Sequence, residues 1–295
     1  MKNKLHIIII GLIICALSAP TALYAHGNSI SIPRNTEILN ERFINIPNSL
    51  VLLRLWDERQ QTGEILPFYS ISLDGGASFV RTVQPSYELG LRYTHFDPLD
   101  GEPSIDPLLT ANENTNLFIV QFVTQPLQEF RDTITACGGV VRHYIAQYAF
   151  LVEMDQDAVL LVESLPYVRW VGAYHPAYRL EEFMIDNLAN AYQMYPLQHY
   201  NIQVLSVEQK QTVAQRVKEI GAIVNTADAG KLLVEATLTP EQLYEVAQWD
   251  EINFIDRWGP YEQDMDIARE IGGAAVSYTH LRAHETVLDL VCRLL

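Results

Sequence analysis

Short stretches of the sequence contain residue types used in catalysis, but none has the spacing that the chemistry requires. Residues 76–80 (GASFV) begin like the G-x-S-x-G turn that exposes a nucleophilic serine, yet valine replaces the last glycine and no helical pattern follows. Gly230 and Lys231 lack the upstream glycine of a phosphate-binding loop. His284 and Glu285 lack the second histidine of a zinc-protease helix. The sequence therefore predicts no catalytic residue.

Residues that could bind a metal are scattered along the chain. The histidines outside the termini lie far apart in the sequence and near no cysteine pair: His95, His143, His175 and His199. Cys137 falls on the apolar stripe of a predicted helix, where burial as a small apolar side chain is expected. We therefore predict neither a metal nor a cofactor, and the chain by itself resembles a binding or folding module.

The charge balance limits the possible partners. The sequence has 20 lysines and arginines against 36 aspartates and glutamates, a formal net charge of −16. A chain this acidic repels nucleic acids and anionic membranes, so we expect neither as a partner.

The elements that would position any site form one unit that occurs twice, a first copy at residues 116–180 and a second copy at residues 195–260. A numbering shift of 82 places Gln121 on Gln203. Each copy alternates strand-length apolar runs with stripes at helical spacing, in the order β-α-β-β-α-β. The sequence thus predicts an α+β fold, with two tandem ferredoxin-like βαββαβ modules preceded by a small β-rich segment.

Helix boundaries have sequence signals of their own. Ser206 with Gln209, and Thr239 with Gln242, have the spacing of a capping box, so we predict that each pair begins a helix. The glycine pair at 138–139 is expected to end the first helix of the first copy.

Strand alternation predicts which sheet face of each copy is free of helices. In the first copy the outward set is Ile119, Gln121, Val123, Leu151 and Glu153. In the second copy it is Asn201, Gln203, Leu205, Leu233 and Glu235. Both sets mix apolar and polar side chains as a docking surface does, and we predict a docking face on the second copy. The alternative is that the two copies cover each other.

The N-terminal part of the chain has the pattern of a secretory signal peptide at residues 1–25. Two lysines precede an apolar run at residues 5–17, and small residues follow up to the expected cleavage between Ala25 and His26. We therefore predict an exported protein, with no membrane as a partner once the signal is removed.

Residues 26–115 are expected to be β-rich and to end in an irregular, proline-containing linker from residue 97. Residues 72–78 contain the S-x-D-x-G-x-S pattern of the Asp-box turn that separates strands in sialidase-like propellers. Because the pattern occurs once, a hairpin turn at Asp74 and Gly75 explains it better than a propeller does.

Residues 276–295 do not read as natural protein sequence. The stretches VSYTHLRAHET and LVCRLL match the translation of a sequencing-library adapter, so we treat this tail as non-native. We expect the natural gene to continue past Ala275, which would make the chain a fragment.

The stretch VRWVGAYHPAYRL at residues 168–180, with the NLFIVQF and YAFLVEM strands before it, resembles the propeptide region of secreted subtilisin-like serine proteases. The resemblance covers residues 116–275, and residues 264–274 are weakly similar to the opening of a catalytic domain. It implies modules that assist the folding of their own catalytic domain and inhibit it. The family's Asp, His and Ser motifs are absent, so the parent would be a serine endopeptidase but this fragment should be inactive.

The resemblance also implies an inhibitory tail within residues 261–275, where the chain is polar and without helical spacing. The residues predicted for this role are Tyr261, Glu262, Gln263, Asp264, Met265 and Asp266. Such a segment would add as an extended strand along the substrate cleft of the protease. The alternatives are an ordinary linker here and, for the whole chain, a non-catalytic exported binding or adhesion protein built from the same modules.

Overall fold

The computed structural model describes residues 37–92 and 94–259. The fold is mixed α+β, as predicted, with antiparallel sheets and six α-helices within those residues. The predictions for Ala25 and His26, for the tail at 261–266 and for residues 276–295 lie outside the described part of the chain.

The described chain divides into two compact units. The first unit comprises residues 37–86 with 126–132, and the second comprises residues 87–125 with 133–259.

The first unit contains a three-stranded antiparallel sheet. Its strands follow chain order: β1 (Glu37–Asn45), β2 (Leu52–Arg59) and β3 (Ile65–Ser72). After the turn at Asp74 the chain runs back along β3, since the backbone of Val80 bonds to Ile71 and Val83 pairs with Tyr69. The turn therefore joins antiparallel segments, as the hairpin prediction requires.

A four-stranded sheet, the first sheet, forms in the first copy. It consists of β6 (Leu117–Phe122), β7 (Val140–Ile145), β8 (Ala149–Glu153) and β9 (Val168–Ala173), in the spatial order β7-β8-β6-β9 with antiparallel neighbours. Helix α1 (Gln128–Ala136) follows β6, and α2 (Gln156–Glu163) follows β8. Gly138, at a φ of 97°, ends α1 as predicted, because only glycine adopts this conformation without strain.

The second copy builds the second sheet with the same order of elements. Its strands are β10 (Gln198–Val204), β11 (Ile223–Thr226), β12 (Leu233–Leu238) and β13 (Ile252–Arg257), arranged β11-β12-β10-β13. Its helices are α5 (Lys210–Glu219) and α6 (Pro240–Ala247). The order of strands and helices is the predicted β-α-β-β-α-β.

One of the two predicted capping boxes forms. At the start of α6 the Gln242 N–H donates to Thr239 Oγ1 and the Thr239 N–H donates to Gln242 Oε1. The prediction for Ser206 and Gln209 is wrong, because α5 begins after Gln209 without a side-chain cap. The Ser206 side chain instead bonds to Glu208.

Residues 87–110, which we call the strap, are not a free linker. They contain the short pair β4 (Leu89–Gly90) and β5 (His95–Phe96), and Leu89 is fully buried against the first sheet. Further along, Leu109 is buried in the core of the second copy. Residues 97–106 are irregular, as the linker prediction states, but Leu109 just beyond them enters the core of the second copy.

The segment between the copies also belongs to the second core. It forms two short helices, α3 (Glu182–Asp186) and α4 (Ala191–Met194). Met184, Ala191 and Tyr195 are buried beside Ile202 and Leu243 of the second copy. The second copy is thus complete only with residues that lie before residue 195.

Candidate docking face

The second sheet has one face against its helices and one face without them. Along β10, Tyr200, Ile202 and Val204 are fully buried in the core of the second copy. The alternate residues Asn201 and Gln203 point to the other face and are half-buried. We call this other surface the open face of the second sheet.

Polar and aromatic contacts organise the centre of the open face. Asn201 Nδ2 donates to Asp256 Oδ1 at 2.9 Å. His199 Nε2 lies 3.2 Å from Glu235 Oε2, and the His199 ring stacks on Trp258 with centroids 4.7 Å apart. These contacts fix the side chains before any partner binds.

The open face also has partly exposed apolar side chains, and the strap contacts one of its edges. Leu233, opposite Gln203 on the neighbouring strand, is half-buried, and Ile223 is 59% exposed. At the edge the Arg92 guanidinium lies 3.8 Å from the centre of the Phe254 ring and 3.4 Å from an oxygen of Asp256. The face is therefore a mixed apolar and polar surface.

The structure brings four of the five predicted docking residues together and separates the fifth. Asn201, Gln203, Leu233 and Glu235 lie on the open face in the register that pairs β10 with β12. Leu205 follows β10 and packs against the buried cluster on the first sheet. The prediction missed Asp256 and Trp258, although the alternation along β13 was the signal that could have found Asp256.

The corresponding face of the first sheet is not available for docking. Ile119 and Leu151, predicted to face outward, are fully buried in a cluster with Leu89 and Leu91 of the strap. Val123 is buried as well, and Glu153 pairs with Arg142. The cluster around Ile119 and Leu151 contains no residue of α1 or α2, so the predicted alternation is correct there, but the prediction that this face points outward is wrong because the strap covers it.

A buried polar network fastens the strap to this face. Gln121 donates from its amide to the Tyr87 carbonyl at 2.8 Å and accepts from Arg169 Nη1 at 2.8 Å. Arg169 also donates to both oxygens of Asp97, at 2.6 and 2.8 Å. Every side chain of this network has a hydrogen-bond partner, so burying Gln121 costs little free energy. The same bonds hold the strap in one register on the sheet.

The two copies are joined through a buried arginine. Arg179 is 1% exposed, and its guanidinium donates to the carbonyls of Ala247 and Trp249 at 3.1 and 2.6 Å and to that of Tyr174 at 2.7 Å. Burial lowers the pKa of Arg179, while Tyr174 and Asp250, 3.7 Å away, act in the opposite direction. This arginine therefore connects the end of the first sheet to α6 of the second copy.

The serine of the incomplete nucleophile motif has a structural role. Ser78 Oγ donates to Asp74 Oδ2 at 2.6 Å, and Ser72 Oγ donates to Asp74 Oδ1 at 2.6 Å. Bonds from Ser72 and then from Ser78 lower the pKa of Asp74 to about 2. The carboxylate thus stays ionised and holds the turn closed around it.

The histidines do not converge on a site. Burial lowers the pKa of His143 on β7, and it also lowers the pKa of His175, against the opposing effect of Glu102. His175 Nδ1 accepts from the Ala111 N–H at 2.9 Å, so this ring holds the chain after the strap. Within residues 37–92 and 94–259 no group of three or more His, Cys, Asp or Glu could hold a metal ion.

Comparison with known proteins adds one match. A family model described as a domain of unknown function (DUF8729) matches residues 90–175. The matched stretch includes most of the strap together with the whole first sheet, which agrees with their shared buried cluster. No curated protein and no solved structure matches the chain. In the part of the chain that the structure describes, no helix is long and apolar enough to cross a membrane.

Proposed function

We propose that this chain is the propeptide region of a secreted subtilisin-like serine protease precursor, whose second copy docks on the catalytic domain and inhibits it. In this proposal the copies are tandem ferredoxin-like modules. The order of their strands, with the first strand central, the second at one edge and antiparallel neighbours throughout, supports that assignment.

The observation that carries the proposal is the difference between the two sheets. The strap buries Ile119 and Leu151 on the first sheet, whereas Gln203 and Leu233 of the second sheet are half-buried. A helix-free sheet face with both apolar and polar side chains has the composition of a protein–protein interface. The proposal therefore assigns docking to the second copy and a supporting role to the first.

A docking face of this kind would help the catalytic domain of the protease to fold. A catalytic domain with parallel strands and distant contacts folds slowly, because chain entropy is lost before the contacts form. A preformed sheet that binds the native arrangement lowers this barrier. The tail at 261–266 would then occupy the substrate cleft as an added strand, and main-chain hydrogen bonds would give the affinity.

The test is inhibition of the cognate catalytic domain by this chain without residues 1–25 and 276–295. The whole chain is needed, because Leu109 and Met184 contribute to the core of the second copy. The variant Leu233→Arg, on the open face, should weaken inhibition about 30-fold, the effect of losing one central interface residue.

The matched control is Leu160→Arg, on the solvent side of α2, where the leucine is 67% exposed. This variant should leave inhibition within about twofold, since surface changes outside an interface have small effects. If the unmodified chain does not inhibit, or if both variants inhibit equally, the docking assignment is wrong. Failure of inhibition altogether would favour the binding or adhesion alternative.

A further inference from the structure

A cavity of about 420 Å³ lies between the strap and the segment that joins the two copies. Its inner wall is formed by the buried residues Leu91, Leu109 and Tyr178, and half-buried Ile105 and Ile185 extend the apolar lining. This volume is within the range of small-molecule sites, and an apolar interior with few polar groups is typical of them.

All the charged residues that line the cavity are acidic. Asp106, Glu182 and Asp186 belong to its lining and are exposed, so they lie at the opening. None of the lining residues is Lys, Arg or His. Neither Glu182 nor Asp186 forms an ion pair within the described residues, and the carboxylate of Asp106 accepts only the nearby Leu108 N–H there. Carboxylates around a low-dielectric opening attract a cation.

The wall also contains a polar group without a partner. Tyr178 is 6% exposed, and its hydroxyl forms no hydrogen bond within the part of the chain that the structure describes. A buried hydroxyl without a partner costs stability.

We propose that this cavity binds a small organic cation, with an apolar body between Leu91, Leu109 and Tyr178 and an ammonium group at the carboxylates of Glu182 and Asp186. The lining of the cavity includes neither Asn201 nor Gln203, so the proposal does not depend on the protease assignment. No group of the cavity is placed to react with the ligand, and binding is the function inferred.

The experiment uses three probes with one ring system and different charge: tryptamine, neutral tryptophol and anionic indole-3-acetate. Binding to the unmodified chain is measured by NMR titration at millimolar concentration. Tryptamine should bind roughly 3- to 10-fold more tightly than tryptophol, as expected for two partly solvated ion pairs, and indole-3-acetate should bind most weakly.

Two variants locate the binding. Glu182→Gln with Asp186→Asn should remove the preference for tryptamine and leave the tryptophol affinity unchanged, since the apolar wall is intact. The matched control, Asp157→Asn with Glu163→Gln, removes two exposed carboxylates from α2 and should keep the preference.

The variant Ile185→Trp fills the cavity and should abolish binding of all three probes. No saturable binding, or a charge preference that the Glu182 and Asp186 changes do not reduce, overturns the assignment. Because those two carboxylates are exposed, their variant tests the proposal even if Ile185→Trp does not fold.

Discussion

The variant Arg179→Met tests whether the buried arginine holds the two copies together. Methionine retains much of the apolar volume but donates no hydrogen bond. The carbonyls of Tyr174 and Ala247 then lose this donor in a buried region, and the Trp249 carbonyl keeps only the Ile252 N–H. Asp250 loses a charge that lies 3.7 Å from one of its oxygens.

The size of the effect follows from this arrangement. Each buried carbonyl left without a donor costs about 1–3 kcal/mol, although some of this is recovered when the chain relaxes. Removing one partner of a buried charged network costs about 3–5 kcal/mol as a whole. We therefore expect Arg179→Met to lower the free energy of unfolding of the second unit by ~3–5 kcal/mol.

The assay is urea denaturation followed by tryptophan fluorescence, with Arg216→Met as the control. Arg216 pairs with Glu251 at 2.7 Å and lies over Trp249, but its side chain is 36% exposed. Surface pairs of this kind contribute about 0–1 kcal/mol, so the control should lose little. If the two variants lose the same free energy within error, the buried arginine does not join the copies as described.

Two further predictions concern local contacts. Thr239→Ala removes the capping box of α6 and should cost about 1 kcal/mol in thermal denaturation, and no measurable loss would contradict the box. The pKa of Asp74, lowered by Ser72 and Ser78 from 3.8 to about 2, should appear as an NMR titration midpoint near 2. Because the folded pKa is the lower one, this carboxylate stabilises the turn above about pH 4 and stops doing so as the pH falls through about 2. In Ser78→Ala the midpoint should rise toward 3.8, and an unchanged midpoint would refute the assigned bonds.

The element pattern of both copies was predictable because it depends on local spacing. Alternation along β10 distinguishes Ile202 in the core from Gln203 on the open face, and Thr239 with Gln242 begins α6 as its sequence indicates. These signals lie within a few residues of one another, so the sequence contains them directly.

The covered face of the first sheet was not predicted, because its cover comes from a distant part of the chain. The strap has few apolar residues, Leu89 and Leu109 among them, and the neighbouring sequence does not indicate which surface each one contacts. A signal did exist in β6, whose sequence LFIVQF is apolar on both faces, whereas QHYNIQV in β10 alternates. Continuous apolar strands are typical of sheets buried on both sides.

The strap also has a consequence for the time course of synthesis. Gln248 donates to the carbonyl of Leu108, 140 residues earlier in the chain, and Leu109 enters the same core. A ribosome that adds about 5–20 residues per second needs roughly 7–28 s to make that interval. During this time Leu109 has no core to enter, so a chaperone that recognises isolated apolar segments would meet the strap before the second sheet exists.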